Sequence, residues 1–288
     1  MRPVKTAAVV HDLSGVGRCA LTVVLPVLSA MGVQACPVPT AVLSTHTGGF
    51  DGIASVDLTD LMGPYLAHWR RLNMRFDAVY SGYLANCAQA EHVLSLMRWQ
   101  KCLNVVDPVM GDEGEMYSAL PREIPAEMRR LCAAADVITP NLTEAALLLD
   151  EPFSAAPRTG GEVDALLRRL LALGARSVVL TSVPMEDGSM ANAWMEAGGR
   201  LRGEMRFHPL PIHYPGTGDL FASVLTGALL RGEGLQAAVR RAAGYIYRAM
   251  EITNAVGSEP RMGVQFEKTL HELTFNTDCD TVKGGDTI

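Results

Sequence analysis

Short runs rich in Val and Ile alternate with longer stretches of helical period along this 288-residue chain. That alternation predicts an α/β fold of βαβ units around a mostly parallel sheet. Two further observations agree with it. Polar, Gly-containing loops follow the apolar runs, at the edge where α/β sheets place their ligands. Hydrophobic residues make up 48% of the chain and charged residues 19%, enough to bury one large core, and one domain is the simpler reading.

The first strand is expected over 5–10, where Ala7-Ala8-Val9-Val10 follows a polar start. Helical period over 19–31 precedes a strand over 34–39, and a helix over 58–72 precedes a strand over 77–81. Helices over 88–100 and 123–134 alternate with strands over 102–106 and 136–138. Helices over 142–149 and 161–173 then lead to a strand over 176–181. Weaker strands over 190–196 and 201–208 form a hairpin around Glu196-Ala197-Gly198-Gly199-Arg200, whose glycines suit a turn. Helices over 218–231, 234–252 and 263–274 complete a domain over 1–275, and the polar stretch 276–288 is expected to be a disordered tail.

The formal net charge of −6 argues against general binding to nucleic acid or anionic membranes, so an anionic ligand must be held locally. No apolar stretch reaches membrane-spanning length, and the N-terminus lacks the long apolar core of a secretory signal. A soluble cytoplasmic protein is expected. The six cysteines Cys19, Cys36, Cys87, Cys102, Cys132 and Cys279 include no CxxC pair. They read as buried thiols in a reducing compartment, with neither zinc nor a disulfide framework.

Gly216-Thr217-Gly218-Asp219 precedes the apolar run Leu220-Phe221-Ala222-Ser223-Val224-Leu225. Glycines there let backbone amides turn inward, and the unpaired amides of a first helical turn attract a phosphate. Asp219 is then placed to face an acceptor hydroxyl; its ordinary alternative is an N-cap. Gly15-Val16-Gly17-Arg18-Cys19-Ala20 superficially fits a dinucleotide fingerprint. The carboxylate that should follow about twenty residues on is missing, so a tight strand-to-helix turn is the better reading. A Walker loop is absent.

Asp107-Pro108-Val109-Met110-Gly111-Asp112 and Thr139-Pro140-Asn141-Leu142-Thr143-Glu144 each follow an apolar strand. Taken singly they are turn and capping chemistry, with Asn141 or Thr143 as the cap. Taken together, hard oxygens at the ends of neighbouring strands can hold magnesium through water. His46 lies in a Thr-rich loop, where solvation or a backbone bond is the ordinary role. Tyr83 reads equally as core or as a stacking platform.

Together with Ser44-Thr45-His46-Thr47-Gly48, Ser81-Gly82-Tyr83, Gly114-Glu115-Met116-Tyr117 and Leu220-Phe221, these segments resemble the ribokinase superfamily and, within it, the vitamin B6 kinases of the pyridoxal kinase family. The resemblance covers roughly residues 5 to 275. It implies a three-layer sandwich with helices on both faces of the sheet and a homodimer. It also implies ATP as co-substrate with Mg²⁺, and a monovalent cation beside it. In that scheme Asp219 is the base facing the 5′-hydroxymethyl of a B6 vitamer, and the amides of Gly216, Thr217 and Gly218 form an anion hole. Asp107, Asp112 and Glu144 position magnesium and its waters, with Asp107 and Glu144 as water-mediated ligands. Thr139 and Asn141 lie near the phosphates, Thr181 and Ser182 on the nucleotide side, and Tyr117 in an ATP flap. His46, Thr47 and Tyr83 contact the substrate.

Two departures bear on the substrate. Asp12 stands where the family typically carries a serine that touches the pyridine-ring substrate, which suggests a preference for a cationic group such as that of pyridoxamine. Its ordinary alternative is an Asx turn to the backbone of Ser14 or Gly15. Leu43 stands where the family often has an aromatic residue. A hydroxymethylpyrimidine kinase of thiamin synthesis is therefore a rival reading, and a non-catalytic nucleotide- or vitamer-binding protein is a second.

Overall fold

Ala7 to Val10, Ala78 to Ser81 and Val105 to Val106 are buried on both faces, the condition for a parallel strand covered by helices on two sides. The computed structural model describes residues 4–199 and 201–274. The expected tail over 276–288, Cys279 and Arg200 lie outside the described residues.

Eleven strands are present among the described residues. They are β1 (Lys5–Val16), β2 (Val33–Thr45), β3 (Ser55–Asp57), β4 (Ala78–Ser81), β5 (Leu103–Val106), β6 (Gly111–Asp112), β7 (Glu115–Met116), β8 (Val137–Ile138), β9 (Ser177–Pro184), β10 (Met190–Glu196) and β11 (Arg202–Phe207). Nine form one sheet in the order β11-β10-β9-β8-β5-β4-β1-β2-β3. The stretch from β9 to β2 is parallel, and β10, β11 and β3 add antiparallel edges. Strand order reverses between β4 and β1, which opens a crevice at their carboxyl ends.

The helices are α1 (Leu21–Ala30), α2 (Thr59–Arg71), α3 (Cys87–Gln100), α4 (Ile124–Ala133), α5 (Leu142–Leu149), α6 (Gly160–Leu171), α7 (Thr217–Leu230) and α8 (Leu235–Val256). Alternation along β1 divides them. Ala8 and Val10 pack with Met62, Leu94, Met128 and Leu167 of the α2–α6 layer. Ala7 and Val9 pack with Leu21, Val24 and Ala222 on the α1–α7 side. The fold is the expected three-layer α/β sandwich.

Four local expectations need correction. β1 and β2 run well past the apolar runs, because they keep pairing through Val16 and Thr45; the polar His11 and Asp12 hid this. The exposed β3 has no apolar pattern and forms by pairing antiparallel with Ala41, Val42 and Leu43. A small hairpin of β6 and β7 occupies the loop after β5. The helix expected over 263–274 is instead a set of 3₁₀ turns, Phe266–Lys268 and Leu270–Leu273, after a similar turn at Pro260–Met262. There the Thr269 hydroxyl meets the Phe266 carbonyl and the Tyr245 hydroxyl, so side-chain bonding competes with the α ladder. Of the thiols, Cys19 and Cys132 are buried as expected, whereas Cys36, Cys87 and Cys102 are only half-buried.

The edge strand β11 is held partly through Trp194, fully buried on β10 opposite Gly203. A Cβ at Gly203 would lie 2.3 Å from the indole. Gly203→Val is therefore expected to lower the unfolding free energy by about 1–3 kcal/mol, the usual cost of overpacking. Urea denaturation checks this, and a stability equal to the wild type contradicts it.

Candidate active site

The parallel strands end beside one another, and the ladder continues one residue further. Gly82, Asp107 and Thr139 donate their amides to Val10, Ser81 and Val106 on the neighbouring strand. This fixes the residues just past the strand ends. Tyr83, Val109 and Asn141, one or two residues further on, border a cavity of about 490 Å³, within the range of small-molecule sites.

Asp219 lines this cavity and is 9% exposed. It is not an N-cap. α7 is capped by Gly216 at φ 79°, a left-handed conformation that favours glycine, and no side chain caps it. A Cβ on Gly216 would also lie 2.0 Å from the Arg18 carbonyl. Asp219 is thus in the first helical turn, where a carboxylate is favoured, and it is held from two sides. His11 Nε2 lies 3.0 Å from its Oδ1, and the Ala20 amide donates to its Oδ2 at 2.7 Å. Ala20 adopts φ 57°, ψ −140° to present that amide, a strained conformation of the kind that collects at functional sites.

His11 has one further carboxylate partner. Its Nδ1 lies 2.9 Å from Asp12 Oδ1, and Ser14 Oγ donates to Asp12 Oδ2 at 2.8 Å. The Asp12 amide also points at Nδ1, at 3.0 Å. A neutral ring could accept that amide, but two buried carboxylates favour the doubly protonated one. Burial would lower the His11 pKa; the charges of Asp219 and Asp12 and the hydrogen bonds to them outweigh it and raise the value to about 10. Burial would likewise raise the pKa of Asp219, but the His11 charge and hydrogen bond and the Ala20 amide hold it below its ordinary value.

The Asp12 oxygens are therefore occupied within the protein. Asp12 meets the Ser14 hydroxyl rather than a backbone amide of Ser14 or Gly15, so the Asx turn is not formed, and the residue still lines the cavity. His46 is bonded to backbone: Nε2 donates to the Arg261 carbonyl at 2.7 Å, and Nδ1 accepts from Gly48 at 3.1 Å. Thr47, Leu43 and Tyr83 line the same end of the cavity.

At the other end, Asn141 caps α5 in a capping box with Glu144 and also donates to the Gly111 carbonyl at 2.9 Å. Thr143 accepts from Gly114 at 2.8 Å. These bonds tie the β6–β7 hairpin to α5. Asp112 on that hairpin lies 3.4 Å from His213 of the segment leading into α7. Asp112, Tyr117 and Asn141 line the cavity with Gly216, Thr217 and Gly218.

Asp107 and Glu144 lie behind the cavity wall, both buried. Asp107 accepts from Thr139 Oγ1 at 2.8 Å, and Glu144 accepts from the amides of Asn141 and Met110. Burial and the charge of Asp219 raise the Asp107 pKa to about 7; burial and Asp107 push that of Glu144 well above its ordinary value. Two hard carboxylates, uneasy as anions, one after β5 and one in the first turn of α5, fit a divalent cation. No three metal-ligating side chains come together among the described residues, so a cation here would need water or phosphate to complete its shell. Thr181 and Ser182 do not border this cavity; they sit on β9, with Ser182 donating its amide to Asn192 Oδ1 at 3.0 Å.

The sequence reading missed His11 as a partner of Asp219, together with the Ala20 amide and the Arg261 carbonyl. The available signal was the His11-Asp12 pair itself, two polar residues continuing a Val-rich strand.

Fold and cavity define a small-molecule kinase of the ribokinase-like class. The phosphomethylpyrimidine kinase family model matches residues 25–263, and the chain belongs to that family. It is similar, at 44% identity and a TM-score of 0.90 over 95% of this chain and 96% of the other, to a Bacteroides thetaiotaomicron protein provisionally named a phosphomethylpyrimidine kinase and solved with pyridoxal. It is similar to the pyridoxal kinase of Lactobacillus plantarum at 36% identity and a TM-score of 0.86, over 94% of this chain and 97% of the other. The pyridoxine/pyridoxal/pyridoxamine kinase of Bordetella avium is 32% identical over 84% of this chain and 83% of that protein.

A pKa raised above the ordinary 6.5 means that the His11 pairing stabilises fully below pH 6.5 and is lost as pH rises toward 10. The melting-temperature gap between wild type and His11→Gln should therefore be widest near pH 6 and shrink through pH 10. A gap that does not change with pH contradicts the pairing.

Proposed function

We propose that the protein transfers the terminal phosphoryl group of ATP to the 5′-hydroxymethyl of a vitamin B6 vitamer (pyridoxal, pyridoxamine or pyridoxine), giving the 5′-phosphate and ADP. The observation that carries this is Asp219. It is ionised and buried at the start of α7, beside the Gly216–Gly218 amides and in the same cavity as Thr47 and Tyr83. A base, an anion-binding helix start and a half-apolar pocket then meet at one point. The B6-kinase names of the relatives support the same substrate class.

In this reading Asp219 takes the hydroxymethyl proton while the amides of Gly216, Thr217 and Gly218 receive charge on the transferring phosphoryl group. Little covalent chemistry is required of the protein, so positioning and charge stabilisation dominate. Asp107 and Glu144 would hold the waters of Mg²⁺, which would neutralise phosphate charge when bound. Asp112 would help to position those waters, Tyr117 would belong to an ATP flap, Thr139 and Asn141 would lie near the phosphates, and Thr181 and Ser182 on the nucleotide side. His46, Thr47 and Tyr83 shape the ring pocket. A cytoplasmic homodimer belongs to the same reading. Because the matched family is named for a pyrimidine substrate, hydroxymethylpyrimidine is the second substrate to try.

ADP release with Mg-ATP and each of pyridoxal, pyridoxamine, pyridoxine and hydroxymethylpyrimidine tests the proposal. Turnover is expected with at least one B6 vitamer, with Asp219→Asn slower by about 10²- to 10⁴-fold. Turnover of hydroxymethylpyrimidine alone, or an undiminished Asp219→Asn, contradicts it. Glu144→Gln keeps a side-chain acceptor for the capping box but removes the charge. It is expected to raise the Mg²⁺ concentration for half-maximal turnover about 10-fold or more; an unchanged Mg²⁺ dependence contradicts the role.

A further inference from the structure

We infer that His11, braced by Asp12, is a positioning residue that holds Asp219 as an oriented, ionised carboxylate aimed into the cavity. The inference rests on the kinase reading of Asp219 and assigns two residues of β1 a part in it.

The placement begins in the strand. Ala7 and Val9 face α7, so the period of two turns His11 the same way. The register between β1 and β2 shifts between His11 and Leu13, an irregularity of the kind that re-aims a side chain. Gly82, at the end of β4, leaves the space the imidazole needs; a Cβ there would lie 2.1 Å from the His11 ring. The ring is 1% exposed, and Ser14 is fully buried. Protein groups rather than bulk water therefore set its protonation and its angle.

The hydrogen bonds run in one line. Ser14 Oγ donates to Asp12, whose other oxygen takes His11 Nδ1–H, and His11 Nε2–H is directed at Asp219. The Ala20 amide fixes the second Asp219 oxygen. An ionised carboxylate has about four acceptor positions. His11 and Ala20 occupy two, which sets the rotamer and leaves the rest for an acceptor hydroxyl.

Charge explains why a cation is placed there. Asp219 is faced by Asp107 from the end of β5, by the Tyr80 ring on β4, by Cys19 before α1 and by His46 after β2, with Asp12 beyond His11. The phosphates of ATP add further negative charge in the proposed reaction. His11 is the buried group in this set that carries a positive charge against both Asp12 and Asp219. Without it, burial and Asp107 would drive Asp219 to hold a proton, and a protonated carboxyl cannot act as the base.

The proton count closes without His11 changing state. The acceptor oxygen bonds to the terminal phosphorus of ATP as the bridging P–O bond breaks to ADP, and its proton passes to Asp219. His11 keeps both of its protons, and Asp219 returns its own to solvent after product leaves.

Steady-state kinetics and imidazole ¹⁵N NMR on the full-length protein test this. In His11→Gln, which retains a donor but no charge, kcat is expected to fall about 10- to 100-fold while KM for the vitamer stays within about 3-fold. The acidic limb of kcat should move to higher pH by about one to three pH units, because Asp219 loses a nearby opposite charge. Asp12→Asn should move the same limb in the same direction by less. The wild-type His11 ring should stay doubly protonated well above pH 7 and titrate lower in Asp219→Asn. A folded His11→Gln with wild-type kcat and an unmoved acidic limb overturns the inference, as does a neutral His11 ring at pH 7 in the wild type. A wild type that releases no ADP with any vitamer but shows the imidazolium overturns the assignment of Asp219 as base, while upholding the ion pair.

Discussion

Burying several carboxylates at one end of a parallel sheet is the constraint on which this structure turns. Asp12, Asp107, Glu144 and Asp219 are all buried there, and an uncompensated buried charge is costly. The protein meets the constraint in two ways. His11 pairs directly with Asp219 and Asp12, and it holds the Asp219 pKa below its ordinary value. Asp107 and Glu144 keep only neutral hydrogen-bond partners and are pushed toward protonation. One half of the cluster is settled within the chain, and in the proposed reaction a divalent cation would settle the other half.

That division follows from topology. β1 lies where strand order reverses, so its His11 reaches the α7 side of the crevice, with Asp12 behind it. β5 and β8 lie beyond β4, and the residues following them face the β6–β7 hairpin and α5. In the proposed reaction, the acceptor end and the phosphate end of the cavity would therefore be built on separate strands. The first turn of α7 stands between them, with Gly218 near Asp107 and Asp219 against His11. A phosphoryl group that moves between two substrates needs such a place.

Much of this was legible in the sequence because its signals are local. The Gly-Thr-Gly-Asp turn before an apolar run, the Asp107 and Asn141 motifs past Val-rich strands, and the alternation of strands with helices each announce themselves within a few residues. The capping reading and the functional reading of Asn141 and Glu144 also proved compatible, since the capping box sets the direction of the Glu144 carboxyl. What stayed hidden depends on contacts far apart in the chain. His11 and Asp219 are 208 residues apart, and nothing near either one names the other. The extension of β1 and β2, the exposed β3 and the 3₁₀ turns after α8 likewise arise from pairing and side-chain competition that periodicity does not record.

The central claim is that Asp219, held by His11, meets the acceptor oxygen opposite the transferring phosphorus. A crystal structure with pyridoxal, Mg²⁺, ADP and aluminium fluoride in place of the transferring phosphoryl group tests it most directly. The account predicts the 5′-hydroxymethyl oxygen about 3 Å from an Asp219 oxygen, within hydrogen-bond reach of the base. It also predicts the fluoride ligands against the amides of Gly216 to Gly218. A hydroxymethyl group turned toward any other side chain, or a phosphoryl mimic bound away from the start of α7, would contradict it.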